Sequence, residues 1–172
     1  QRLAAALRAR GLQPGDRVAI VDWNSHRYLE TYYACAHAGL ALMPLNSRLS
    51  SRELISILKD ADARALLFSE PFVNLFEEVT ATAPVESAIG LALSSKPASV
   101  LDYDALIAAS EPMRVPEAAD LDDITLIYYT SGTTGEPKGV CLTNRNMYCG
   151  ALDGLLTLAA RRNDSWLHTG PL

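Results

Sequence analysis

Cysteine is scarce in this chain: Cys35, Cys141 and Cys149 are the only three among 172 residues, odd in number and without CxxC or Cys/His ligand spacing. That argues against a disulfide framework or a metal cluster, and reduced, partly buried thiols are expected. Positive charge is also in deficit. Fifteen Lys and Arg face twenty Asp and Glu, for a net charge of −5 and a pI near 5.1. The basic residues are scattered instead of forming a stripe, so no nucleic-acid partner is implied. No apolar run is long enough to span a bilayer, since the longest, at residues 151–160, is interrupted by Asp153 and Gly154. The opening QRLAAALRARG lacks a signal-peptide pattern, which leaves the cytoplasm as the default location, and no internal repeat is visible.

What is present is an ordinary globular composition, 49% hydrophobic, in a length that suits one domain. Apolar residues at helical spacing alternate with short β-branched runs. Helices are expected from Leu3 to Gly11, over 25–38 with Gly39 as cap, over 50–60, from Pro71 to about residue 82, and over 103–109. Ser50 followed three residues later by Glu53 is a capping box, and Tyr28, Tyr32 and Cys35 share one face of the second helix. Strands are expected over 17–21, 40–45, 63–68, 86–93 and 124–129. Such alternation implies an α/β fold with a mostly parallel sheet, flanked by helices on both faces and joined by right-handed crossovers. The Pro-bearing, acidic stretch 111–123 is the only linker-like segment and marks a possible subdomain boundary. A helix is expected over 144–160, and the start of a further strand over 165–168.

Residues 130–139 read TSGTTGEPKG and carry most of the chemical information. Gly132, Gly135 and Gly139 let the backbone turn and approach a ligand; Thr130, Ser131, Thr133 and Thr134 offer hydroxyl donors; Lys138 adds a positive charge. Polyphosphate is the ligand class such a set suits. The stretch follows the apolar run ITLIYY, so it sits where a strand ends, the favoured place for ligand loops in α/β sheets. It is not a Walker loop: Pro137 stands five residues after Gly132, and Lys138 is followed by Gly139 instead of Ser or Thr. Residues 140–142 read as extended, so the phosphate would meet a loop between strands. Tyr128 and Tyr129 are expected to pack in the sheet, one each way, with the alternative that one borders the ligand. Trp23 and Asn24 end the first strand near the expected ligand edge, and Arg48 reads as a structural residue tying its loop, with an anion contact as the alternative. His26, His37 and His168 have no catalytic partner in sight; His37 lies where it could favour a helix C-terminal dipole, and His168 reads as a strand-end residue.

The block YTSGTTGEPKGV, residues 129–140, closely resembles the phosphate-binding signature of the adenylate-forming superfamily: acyl-CoA synthetases, peptide-synthetase adenylation domains and luciferases. GLQPGDRVAI (11–20) and PLNSRLSSREL (44–54) resemble further acyl-CoA synthetase segments, and LHTGPL resembles the start of another. The resemblance implies that residues 1–172 are an incomplete N-terminal adenylation domain, part of the large N-terminal domain of a considerably longer enzyme. Asn144 departs from the pattern, since many relatives have histidine after the threonine. The resemblance implies ATP, Mg²⁺ and coenzyme A as cofactor and co-substrates. It places Thr130, Ser131, Gly132, Thr133, Thr134, Gly135 and Lys138 at the β- and γ-phosphates, with Lys138 contacting the leaving pyrophosphate and Thr130 near the metal. The implied activity is activation of a fatty or related carboxylic acid as its adenylate, then thioester formation with CoA. Transfer to a carrier-protein thiol and a non-catalytic nucleotide-binding homologue are the alternatives. The elements that bind adenine and ribose, the acidic residue for magnesium, the hinge and the C-terminal lysine have no counterpart in these residues, and the 172 residues alone are expected to be inactive.

Overall fold

The computed structural model describes residues 1–80, 82–83, 85–95, 97–130, 137–161, 163–165, 167 and 170. Among them a single sheet forms in the order β5-β4-β3-β1-β2-β6-β7. Its strands are β1 (Arg17–Val21), β2 (Ala41–Pro44), β3 (Ala63–Ser69), β4 (Ser87–Leu91), β5 (Leu101–Asp102), β6 (Ile124–Thr130) and β7 (Lys138–Thr143). All neighbours pair in parallel except β6 and β7, which are antiparallel.

The expected alternation of helix and strand is therefore found, and its cause is visible in the burial. On β1, Val18 and Ile20 enter one core layer while Ala19 and Val21 enter the other. On β3, Leu67 joins the first layer, and Leu66 and Phe68 the second. A strand buried on both faces needs such an unbroken apolar run, and helices must cover both sides. α1 (Arg2–Ala9), α2 (His26–Ala38) and α5 (Tyr103–Ala109) pack on the first face; α3 (Ser51–Asp60) and α4 (Val73–Thr80) pack on the second, where Phe76 stacks on Phe68 at 5.0 Å.

Helix ends follow local chemistry. Ser25 accepts the Tyr28 amide at the start of α2, and Gly39, at φ 69°, closes it in the left-handed conformation that glycine tolerates. The Ser50/Glu53 capping box forms as expected, and Leu54, Ile57 and Leu58 bury the inner stripe of α3. Thr143 and Asn146 make a second box at the start of α6 (Asn144–Thr157).

Several boundaries differ from expectation. Pro71 stands in a short 3-10 turn, Glu70–Phe72, before α4 begins. β4 stops at Leu91 because Ala92 takes a positive φ of 55°, and α6 stops at Thr157, two residues before Ala159 at φ 47°. Ser165 and Leu167 are not in a strand; Trp166 and His168 lie outside the described residues. The stretch 111–123 is irregular but attached: the Glu117 amide donates to the His37 carbonyl at 2.9 Å, and Arg8 pairs with the Glu117 carboxylate at 3.4 Å.

α6 and β7 differ from the rest. No described side chain of α6 is buried, and Tyr148, Leu155 and Leu156 are largely exposed. β7 is the sheet edge, with Val140 45% exposed.

Candidate functional site

The carboxyl ends of β1, β2 and β6 open onto a groove of about 870 Å³. After β1 it is lined by Asp22, Trp23 and Asn24; after β2 by Asn46, Ser47 and Arg48; from β6 by Tyr128 and Tyr129. Open parallel sheets bind ligands at this edge because the loops there are free of the ladder. Each loop is braced locally. The Asp22 carboxylate accepts the Trp23 amide at 2.7 Å and the Ser25 hydroxyl at 3.1 Å. The Trp23 ring stands 6.2 Å from Phe72. Asn46 Oδ1 accepts the Arg48 amide at 3.0 Å. It is thus Asn46 that ties this turn. The exposed Arg48 guanidinium has no ion pair among the described residues and fronts the groove, a correction to its reading as a structural tie.

β6 delivers the signature. Thr130, its last residue, stands opposite Lys138, the first residue of β7, in antiparallel register, and both side chains are exposed. The structure therefore pairs, strand to strand, the two residues that the sequence reading singled out for a hydroxyl and an ammonium. Ser131, Gly132, Thr133, Thr134 and Gly135 lie outside the described residues. Gly139 is not in a turn. It is a strand residue paired with Tyr129, and a Cβ there would fall 3.2 Å from Tyr129 Cζ and 3.3 Å from Ile127 Cγ2. Its bare Cα makes room for a ring instead of bending the chain, which corrects the reading of Gly139 as a hinge for ligand approach.

The two tyrosines do pack one each way. Tyr128 shares a 3.0 Å hydroxyl–hydroxyl bond with Tyr32 of α2, on the face where Tyr28 and Tyr32 lie ring to ring at 5.9 Å. Tyr129 donates to Asp60 Oδ2 of α3 at 2.5 Å on the opposite face. Burial pushes the Tyr28 and Tyr32 phenols well above the ordinary tyrosine range, and the bond to Tyr128 adds to the shift at Tyr32. Tyr129 is raised as well, first by partial burial and then by the Asp60 carboxylate. Tyr32 and Tyr129 thus act as neutral hydrogen-bonding struts. The sequence reading missed Asp60 and Tyr32 as partners, because nothing local marks a residue that reaches a strand far along the chain.

Metal-ligating chemistry is thin here. Among the described residues no three His, Cys, Asp or Glu side chains cluster, so Thr130 offers one neutral oxygen without the carboxylates that Mg²⁺ usually takes from protein. His37 Nε2 is engaged with the Met113 carbonyl at 2.7 Å. Cys35 is wholly buried, whereas Cys141 and Cys149 are exposed, so none of the thiols is in the partly buried state expected.

The family model described as AMP-binding enzyme matches residues 1–172. A feruloyl-CoA synthase from Amycolatopsis is 39% identical over 171 residues, 99% of this chain and 32% of that protein. A fatty acid–[acyl-carrier-protein] ligase from Streptomyces coeruleorubidus is 39% identical over 151 residues, 86% of this chain and 27% of that protein. Among solved structures, the o-succinylbenzoate CoA synthetase of Bacillus subtilis, in complex with its acyl-adenylate intermediate, superposes with a TM-score of 0.79 at 30% identity, over 99% of this chain and 40% of that one. The chain spans about a third of the length of the curated relatives it matches. It belongs to the AMP-binding enzyme family.

Proposed function

We propose, taking membership of the AMP-binding enzyme family as the premise, that these residues form the polyphosphate-binding part of a longer ATP-dependent acid–thiol ligase. The observation that carries the reading is the Thr130–Lys138 pair at the mouth of the β6–β7 ribbon, with TSGTTGEPKG between and around it. Matching relatives named as acyl-CoA and acyl-carrier ligases support it.

A carboxylate is a poor electrophile, because attack must approach a negative charge and expel an oxide. In the proposed reaction a carboxylate oxygen attacks the α-phosphorus of MgATP. The new O–P bond forms as the bond to the β-phosphate oxygen breaks, and pyrophosphate leaves. A thiolate then attacks the acyl carbon, a C–S bond replaces the C–O bond, and AMP departs. No enzyme nucleophile takes part, so catalysis is mainly positioning and charge stabilisation. Lys138 would hold the β- and γ-phosphates and stabilise the charge that grows on leaving pyrophosphate. Thr130, Ser131, Gly132, Thr133, Thr134 and Gly135 would supply hydroxyl and amide donors. Thr130 would offer a neutral hydroxyl oxygen to a Mg²⁺ carried by the nucleotide, the one protein oxygen assigned to it.

The acid is taken to be a fatty or related acyl chain and the acceptor CoA. Transfer to a carrier-protein thiol is the second reading, favoured by the name of the Streptomyces relative. Among the described residues no helix is long and apolar enough to cross a membrane, and we place the enzyme in the cytoplasm with its nucleotide and CoA. The 172 residues alone would be inactive, since one phosphate mouth does not also hold adenine, carboxylate and thiol. The test is carboxylate-dependent exchange of labelled pyrophosphate into ATP by the complete polypeptide, over acids of graded length, followed by CoA or a phosphopantetheinylated carrier protein as acceptor. Exchange with one class of acid is expected. A folded protein that binds ATP yet exchanges with no acid would favour a non-catalytic homologue.

A further inference from the structure

The mouth that carries Thr130 and Lys138 stands on slender support. β2, in register with β6 at Leu42 and Leu126, ends at Pro44, so beyond about Tyr128 the described partner of β6 is β7, itself an exposed sheet edge. A two-stranded ribbon is marginal in water without side-chain packing. Both residues before Thr130 supply such packing. Tyr128 reaches Tyr32 on one face, and Tyr129 reaches Asp60 on the other.

We propose that Tyr129 is a positioning residue for the polyphosphate: its ring laid across Gly139 and its hydroxyl held by Asp60 fix the ribbon mouth to α3, and so set where Thr130 and Lys138 stand. The inference rests on the ATP-binding reading above. Asp60 is a firm anchor because it is the last residue of α3, whose start is sealed by a capping box and whose inner stripe is fully packed. Tyr129 is equally constrained. It is paired in register with Gly139, and the ring lies so close over that residue that no Cβ fits without movement. The joint reaches the signature, since Pro137 lines the same cleft as Asp60 and Tyr129. One hydrogen bond and one glycine thus connect a helix to both arms of the ribbon, immediately behind the proposed phosphate contacts.

The test uses the complete polypeptide with Tyr129→Phe, Asp60→Ala, Asp60→Asn and the Tyr129→Phe/Asp60→Ala double variant. Pyrophosphate exchange is measured while ATP and acid are varied separately, and ATP affinity is measured directly. Tyr129→Phe and Asp60→Ala should each raise the KM and Kd for ATP about fivefold, in keeping with one lost hydrogen bond, and leave the KM for the acid unchanged. The double variant should be no worse than either single one. Asp60→Asn keeps an oxygen acceptor and should stay near wild type, a rescue that general destabilisation would not produce. Unchanged ATP parameters in Tyr129→Phe would overturn the inference, as would an equal rise for ATP and acid. If wild type binds ATP without exchanging, the proposed reaction falls, and the positioning role is still decided by the ATP Kd series. A wild type that binds no ATP overturns both.

Discussion

Replacing Gly139 by alanine should cost stability chiefly while Tyr129 is present. The new Cβ would lie 3.2 and 3.3 Å from two ring carbons of Tyr129 and 3.3 Å from Ile127 Cγ2, a few tenths of an ångström inside comfortable contact. Overpacking of this kind costs about 1–3 kcal/mol, and a half-exposed ring that can yield puts the cost near the lower end. Against it stands about 0.4–1 kcal/mol from the smaller conformational freedom of alanine in the unfolded chain, because Gly139 is in an ordinary strand conformation. The net loss in Gly139→Ala should therefore be about 1 kcal/mol. With Tyr129→Ala both ring contacts are gone and only the one to Ile127 Cγ2 remains, so the same change should come close to neutral, a coupling of about 1 kcal/mol. Urea unfolding of the four chains, followed by circular dichroism, measures this as shifts in midpoint at constant slope. Equal penalties in both backgrounds would refute the reasoning, and would return Gly139 to the role of a hinge glycine.

The caps and the thiols lead to three further predictions. Glu53 titrates below the ordinary carboxylate range because it accepts the Ser50 hydroxyl and then the Ser50 amide, so the folded chain binds its proton less readily than the unfolded one. The box should therefore stabilise fully above about pH 4.5 and fade as pH falls through the depressed value; wild type should lose its advantage over Glu53→Gln on acidification, as read by thermal melts across pH. Ser50→Ala should cost about 1 kcal/mol at neutral pH, measured by the same melts. A thiol-reactive disulfide reagent should label Cys141 and Cys149 in the native 172-residue chain and reach Cys35 only after denaturation, since burial raises the Cys35 thiol far above its ordinary value; mass spectrometry of the labelled peptides checks this.

How far the sequence carries the fold depends on the distance over which each feature is specified. The Ser50/Glu53 box, the Gly39 cap and the apolar run of β3 are local, and each is legible from a few neighbouring residues. β5, two residues long, has no periodicity to read and exists because Ile89 and Gly90 of β4 offer a free edge. At the site, Thr130 and Lys138 stand out by residue type, but their juxtaposition depends on β7 running antiparallel to β6, which the glycines alone do not dictate. Tyr129 and Asp60 are 69 residues apart, and a helix-ending aspartate looks like any solvated acid until the sheet places a phenol beside it. Arg48 misleads for a similar reason. Its loop looks as if it needs an arginine tie, yet the short Asn46 side chain closes the turn and leaves the guanidinium at the groove.

The central claim is that the mouth formed by Thr130 and Lys138 holds the polyphosphate of ATP, and Lys138→Ala in the complete polypeptide tests it most directly. Loss of one charge-assisted contact of about 1.5–3 kcal/mol should lower kcat/KM for ATP in carboxylate-dependent pyrophosphate exchange by roughly 10- to 100-fold, with the KM for the acid little changed. Unaltered ATP affinity and turnover in the Lys138→Ala protein would contradict the account.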